Sequence, residues 1–200
     1  MPVYKLIYFD AKWRGEVIRL AFTAAGQEFE DRRIAGEEWP SIKPTLPQNQ
    51  VPCLQVDDLL IPQSGAIMRY VGRAFGLYGT NNDESTIIDV ILGTAEDFVK
   101  NIATMHFEKD ETKKAELTRD MEETKLPQLF SVLEKILKEN KSAGEFCVGD
   151  KISLADLQIF DMIDQAGSMV KLPTLPPKLG GLIDKVKANP AIKAYLAKRK

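Results

Sequence analysis

Two short stretches of the chain could together hold an anion: Val51-Pro52, and Gln63-Ser64-Gly65-Ala66-Ile67 opening a helix one hairpin later. A helix beginning at Ser64 aims its first unpaired N–H groups, and the partial positive charge they carry, at whatever lies in front of it, which favours a carboxylate. Gln63 and Ser64 add side-chain hydrogen-bonding groups. An X-Pro bond adopts the cis form at modest cost, and a cis Val51-Pro52 bond would turn the Val51 backbone sideways, offering its N–H and C=O to an extended peptide as a partial strand. A small peptide with a free carboxylate suits both halves.

Composition narrows the partners. With 200 residues, 44% apolar and 28% charged, the chain has material for one large or two small domains with ordinary cores. Lys and Arg total 27 against 29 Asp and Glu, a net charge of -2, so no basic field gathers nucleic acid or anionic lipid. Neither nucleic acid nor a membrane is expected as a partner; a small molecule is. The opening Met1-Pro2-Val3-Tyr4-Lys5 has no apolar segment behind a basic start, and no stretch approaches the roughly 18 apolar residues that span a bilayer. A cytoplasmic location is the expectation. Cys53 and Cys147 form no Cys-x-x-Cys pair, so neither a thioredoxin-type redox centre nor a zinc site is indicated, no metal site is expected, and both read as reduced core residues.

The elements that must position the anion site follow from periodicity. Residues 4–9 are β-branched and aromatic enough for a strand, and 16–25 carry apolar residues at helical spacing, ended by Gly26. Residues 28–34 suit a second strand, parallel to the first because a helix joins them, and 53–56 with 59–61 suit a hairpin across Asp57-Asp58. Residues 64–75 form the closing helix. This order, βαβ then ββα, predicts an α/β N-terminal thioredoxin-like domain over 1–76, followed across a linker at 77–82 by an all-α C-terminal domain over 83–200. In the helical part, the stripe of Ile87, Ile88, Ile91, Leu92, Ala95, Phe98, Val99 and Ile102 and that of Leu126, Leu129, Phe130, Leu133, Ile136 and Leu137 are expected to pack as long antiparallel neighbours. Ser153-Leu154-Ala155-Asp156 reads as a capping box, and Asn189-Pro190 as the start of a short terminal helix.

Tyr8 ending the first strand, Arg14 in the next loop, Trp39, Lys43, Val51-Pro52, Gln63-Ser64 and the Ser153-x-x-Asp156 box resemble the cytosolic glutathione S-transferases along essentially the whole chain. The opening Met-Pro-x-Tyr-Lys-Leu-x-Tyr-Phe and the segment Phe29-Glu30-Asp31-Arg32-Arg33-Ile34 with Glu38-Trp39-Pro40 look most like the sigma class, which includes haematopoietic prostaglandin D synthase and the cephalopod S-crystallins.

The resemblance implies roles. Tyr8 would donate a hydrogen bond to the glutathione sulfur; a thiol of pKa about 8.5 is only a few per cent ionised at neutral pH, and lowering it by about two units corresponds to roughly 2.7 kcal/mol. Arg14 would add a fixed positive charge near that sulfur. Trp39 and Lys43 would hold the glycine end of the tripeptide, with Gln50 standing where the family often has lysine, while Val51, Pro52, Gln63 and Ser64 complete the grip. Asp97 would reach the γ-glutamyl amine of a second subunit's ligand. Phe9, Trp13, Thr104 and Met105 would wall an apolar second-substrate pocket; Trp13 occupies a position usually held by glycine. His106 reads as a pocket wall or surface residue.

The implied activity is glutathione transfer to small electrophiles, with glutathione as co-substrate and no other cofactor. The implied partners are glutathione, a small apolar electrophile and a second copy of the chain in a homodimer, whose interface would be comparatively polar because Pro47-Gln48-Asn49 supplies no large aromatic key. The alternatives are an S-crystallin-like structural protein with residual or no activity, and a prostaglandin D synthase-type isomerase. A glutaredoxin-like enzyme is disfavoured because Tyr8 stands where its nucleophilic thiol would be expected.

Overall fold

The computed structural model describes residues 2–199. The chain divides into two units, one comprising Met1–Tyr78 and Asn189–Lys200, the other Gly79–Ala188.

The first unit is built on a four-stranded sheet in the order β2-β1-β3-β4. Strand β1 (Tyr4–Phe9) pairs in parallel with β2 (Glu30–Ile34) and antiparallel with β3 (Cys53–Val56), which pairs antiparallel with β4 (Leu59–Pro62). The expected mixture of directions is present, with β2 starting two residues later than the sequence pattern gave. Alternation along β1 buries Tyr4, Leu6 and Tyr8 on one face. Helix α1 (Trp13–Ala25) packs beside helix α3 (Ser64–Ala74). Helix α1 begins three residues before the apolar pattern does, because its first turn is set by the Lys12 carbonyl accepting from the Gly15 and Glu16 N–H groups rather than by core contacts. It ends in a Schellman turn: Gly26, at φ 64°, donates to Thr23 O, and Gln27 donates to Phe22 O. After β2 the chain forms the short helix α2 (Trp39–Ile42) between two 3-10 turns.

The second unit is helical throughout: α4 (Asn82–Phe107), α5 (Glu111–Asp120), a π-turn at Met121–Lys125, α6 (Leu126–Glu139), α7 (Leu154–Gly167) and α8 (Pro177–Ala188). Helix α4 starts one residue before the expected 83, capped by Asn81 Oδ1, which accepts from Glu84 N–H at 3.0 Å. The expected pairing of the α4 and α6 stripes is not the main packing. Helix α7 is buried on almost every side, which demands neighbours all round it. It takes α4 as its principal partner, and α6 packs on α8. No helix among the described residues is long and apolar enough to cross a membrane.

The expected capping box is present at the start of α7, with one contact more. The Asp156 carboxylate, fully buried, accepts from Ser153 N–H at 2.7 Å, from the Ser153 hydroxyl at 2.6 Å and from Cys147 N–H at 2.8 Å, so one acid ties the helix start to the loop before it. Burial pushes its pKa up, while these hydrogen bonds pull it down.

Helix α9 (Pro190–Lys198) is capped by Asn189 Oδ1, which accepts from Ala191 and Ile192 N–H. Its contacts set it apart from the other helices that follow the linker. By contacts it groups with the first unit, where Tyr195 and Arg199 both donate to Glu16 of α1.

Asp156→Ala removes the acceptor of two buried backbone N–H groups, each costing about 1–3 kcal/mol when left unmade. The expected result is a urea midpoint lowered by the equivalent of about 2–5 kcal/mol with an unchanged slope, and a smaller loss for Asp156→Asn.

Candidate active site

The sheet gathers the predicted residues of the first unit at one end. The β1–β3 register pairs Ile7 with Cys53, and the β3–β4 register pairs Cys53 with Pro62. Continuing both by one residue sets Pro52 between Tyr8 and Gln63. Parallel pairing of Phe9 with Ile34 brings the end of β2 to the same place, so the α2 segment carrying Trp39 and Lys43 starts beside it. The Phe9 and Trp39 rings meet edge to face at 5.2 Å.

Tyr8 is 7% exposed, and its phenol oxygen accepts from the Arg14 backbone N–H at 3.3 Å. An oxygen that accepts a hydrogen bond becomes a stronger donor through its own O–H. The Tyr8 ring lies so close to α1 that a Cβ on Gly15 would sit 2.8 Å from Tyr8 Cγ, which leaves glycine as the residue that fits there. Trp13 holds φ at 35°, on the left-handed side, where a side chain costs about 1–2 kcal/mol and a glycine costs nothing. That marks Trp13 as a strained residue at the start of α1.

The backbone features expected of an anion trap are present. The Val51–Pro52 bond is cis. Gln63, at φ 72° and ψ 113°, precedes α3, and its side-chain amide donates to Gln48 Oε1 at 2.5 Å, tying the 47–50 loop to the helix start. Among the described residues, no acceptor takes the backbone N–H of Ser64, Gly65 or Ala66. Lys43 and Gln50 are exposed, and Trp39 is half-buried.

A buried ion network underlies this end of the sheet. The Arg19 guanidinium, 0% exposed, contacts both oxygens of Asp31 through Nε at 3.0 and 3.1 Å. Its Nη1 donates to Ala11 O at 2.7 Å and to Glu16 Oε2 at 3.3 Å, and its Nη2 to Phe9 O at 3.2 Å. Its carbon stands 5.8 Å from the Tyr8 ring centre. Neither Arg19 nor Gly15 was among the residues picked from sequence. Arg19 does carry a signal, a lone charge within the apolar run Val17-Ile18-Arg19-Leu20-Ala21.

The remaining predicted residues lie on α4 of the second unit. Asp97 is 82% exposed along its side chain and meets Lys100 at 3.4 Å. Thr104 is exposed, Met105 is buried, and His106 is exposed with its ring edge-on to Phe107. Cys53 and Cys147 are both buried thiols whose pKa burial pushes up, which keeps them protonated and leaves neither poised as a nucleophile.

Comparison with known proteins agrees with this architecture. Residues 3–73 match the sequence model of the glutathione S-transferase N-terminal domain, and residues 96–199 that of the C-terminal domain. The chain is 37% identical to haematopoietic prostaglandin D synthase of Gallus gallus and 34% identical to S-crystallin SL11 of Nototodarus sloanii, in each case over 100% of this chain and 98% of the relative. A solved nu-class glutathione S-transferase from Haemonchus contortus superposes with a TM-score of 0.89 at 35% identity, covering 100% of this chain and 98% of that one. With both family domains matched in order on the fold and the tyrosine-bearing sheet end described above, the chain belongs to the glutathione S-transferase family.

Proposed function

We propose that this chain is a sigma-class, cytosolic glutathione transferase that conjugates the glutathione thiolate to small apolar electrophiles, acting as a homodimer. The observation that carries the reading is the convergence at one sheet end of a buried tyrosine, a cis Val51–Pro52 bond and an uncommitted helix N-terminus. The tripeptide would lie extended along Val51, with its γ-glutamyl carboxylate at the N–H groups and hydroxyl of Ser64 and beside Gln63. Trp39, Lys43 and Gln50 would hold the glycine end.

The chemistry then follows. The thiol loses its proton to solvent, and the Tyr8 O–H, polarised by the Arg14 N–H on its oxygen, donates to the sulfur anion. The Arg14 charge favours the same state. Sulfur attacks the electrophilic carbon, forming a C–S bond as a leaving group departs with its electron pair or, in addition, as the resulting carbanion takes a proton. Glutathione is consumed as co-substrate, and no other cofactor enters this scheme. Phe9 and Trp13 supply apolar surface on the first unit.

The class assignment rests on the opening strand motif and the Glu38-Trp39-Pro40 segment. The dimer rests on family habit and on Asp97, whose carboxylate would serve the ligand of a second copy. Asp97→Ala is expected to raise the KM for glutathione several-fold with kcat retained, in a protein that still elutes as a dimer.

Retention on immobilised glutathione with turnover of a chlorinated dinitrobenzene is the test of the whole reading. Retention without turnover favours an S-crystallin-like structural role, and absence of both overturns the assignment. Tyr8→Phe is expected to lower kcat about 10- to 100-fold while the KM for glutathione stays within about twofold. Unchanged turnover removes Tyr8 from the chemistry. Gly15→Ala, by pushing the Tyr8 ring, is expected to cut kcat by about tenfold and to cost about 1–3 kcal/mol in urea unfolding; kinetics at parental level would show that the ring has room to spare.

A further inference from the structure

We propose that the C-terminal helix holds the Tyr8–Arg14 loop in place, with Tyr195 and Arg199 acting as positioning residues through the buried Glu16–Arg19 pair. The proposal concerns the same site and rests on the transferase reading above.

Glu16 is 1% exposed, so its carboxylate must find its partners inside the protein. One oxygen, Oε1, accepts from the Tyr195 hydroxyl at 3.0 Å and from Arg199 Nη1 at 3.1 Å, and the other, Oε2, faces Arg19 Nη1 at 3.3 Å. Two donors on one oxygen fix the rotation of the carboxylate and thereby aim the second oxygen at Arg19. Arg19 in turn donates to the carbonyls of Phe9 and Ala11, the residues that follow Tyr8, and stands over the Tyr8 ring. Helix α9 thus reaches the thiolate donor by three consecutive contacts: Arg199 and Tyr195 to Glu16, Glu16 to Arg19, and Arg19 to the backbone that carries Tyr8 into Arg14. Asp31, held by Arg19 and by Arg33 at 2.8 Å, anchors the far side of the guanidinium. None of the α9 side chains in this chain of contacts needs to touch either substrate.

With the Glu16 partners removed, the carboxylate turns, Arg19 shifts toward it, and the 9–14 loop loses its fixed carbonyls. A loosened Tyr8 donates less well to sulfur, so the thiol ionises at higher pH. Glutathione binding, which depends on Val51, Gln63 and Ser64, is left largely alone. The signature is therefore a change in kcat and in the acid limb of the pH profile, not in KM.

The test compares Arg199→Gln, Tyr195→Phe and Arg199→Lys with the parent in steady-state kinetics across pH, alongside amide hydrogen exchange of residues 9–16. Expected for Arg199→Gln and Tyr195→Phe are a roughly three- to tenfold lower kcat, an acid limb displaced to higher pH, a KM for glutathione within about twofold, and faster exchange over 9–16. Arg199→Lys, which keeps a cation against Glu16, is expected to recover most of the kcat. Parental exchange and pH profile in both Arg199→Gln and Tyr195→Phe overturn the proposal, as does a uniform loss of stability with exchange raised equally throughout the first unit. A parent protein without turnover would count against the transferase reading alone, because the exchange measurement still decides whether α9 fixes the loop.

Discussion

A single guanidinium with no exposure to water organises the catalytic half of this protein. Arg19 cannot be solvated, and an unpaired buried charge is costly enough that removing one partner from such a pair typically destabilises by about 3–5 kcal/mol. The fold therefore surrounds it with acceptors drawn from the end of β1, the following loop, the first turns of α1 and the second strand. Each acceptor is pinned by serving Arg19, and the pinned set includes the backbone on either side of the strand-to-helix turn. The low-dielectric interior gives these contacts their directional force.

On that frame the tyrosine is held from two sides. Strand alternation buries its ring with Leu6, and the absence of a side chain on Gly15 lets α1 come in against it. Its oxygen accepts from a backbone N–H, that of Arg14. The half proposed to grip the peptide uses a different principle, with directional backbone groups left uncommitted at the start of α3 and positioned by strand register. One half of the site is built around the satisfied Arg19 guanidinium and the other around N–H groups left open at a helix start.

Much of the fold was legible because it is written in periodicity. The alternation of residues 4–9, the helical stripe ended by Gly26, the two-residue turn at Asp57-Asp58 and the Asn189-Pro190 start are all local signals, and local signals fix elements well. The packing of α4 was not, since two amphipathic stripes say that each helix has a partner and not which one; the almost uniformly buried α7 took that place. The allegiance of α9 was equally hidden, because it depends on Glu16 meeting two residues far along the chain. In the site, motif residues were named from resemblance, whereas Gly15 acts through close packing with no local signal and Arg19 shows in sequence only as a lone charge within an apolar run. Trp13 stood out in sequence as a departure from glycine, and in the structure it holds a positive φ.

The two donors on Glu16 come from residues 179 and 183 positions downstream of it. The thioredoxin-like unit is thus discontinuous in the chain, its opening residues waiting on nearly the final ones. During synthesis the sheet and its first helix emerge long before their last contacts exist, so this unit can reach its finished state only after the intervening helices have been made. Completion of the first unit thus waits on α9, in whatever order the helices before it fold.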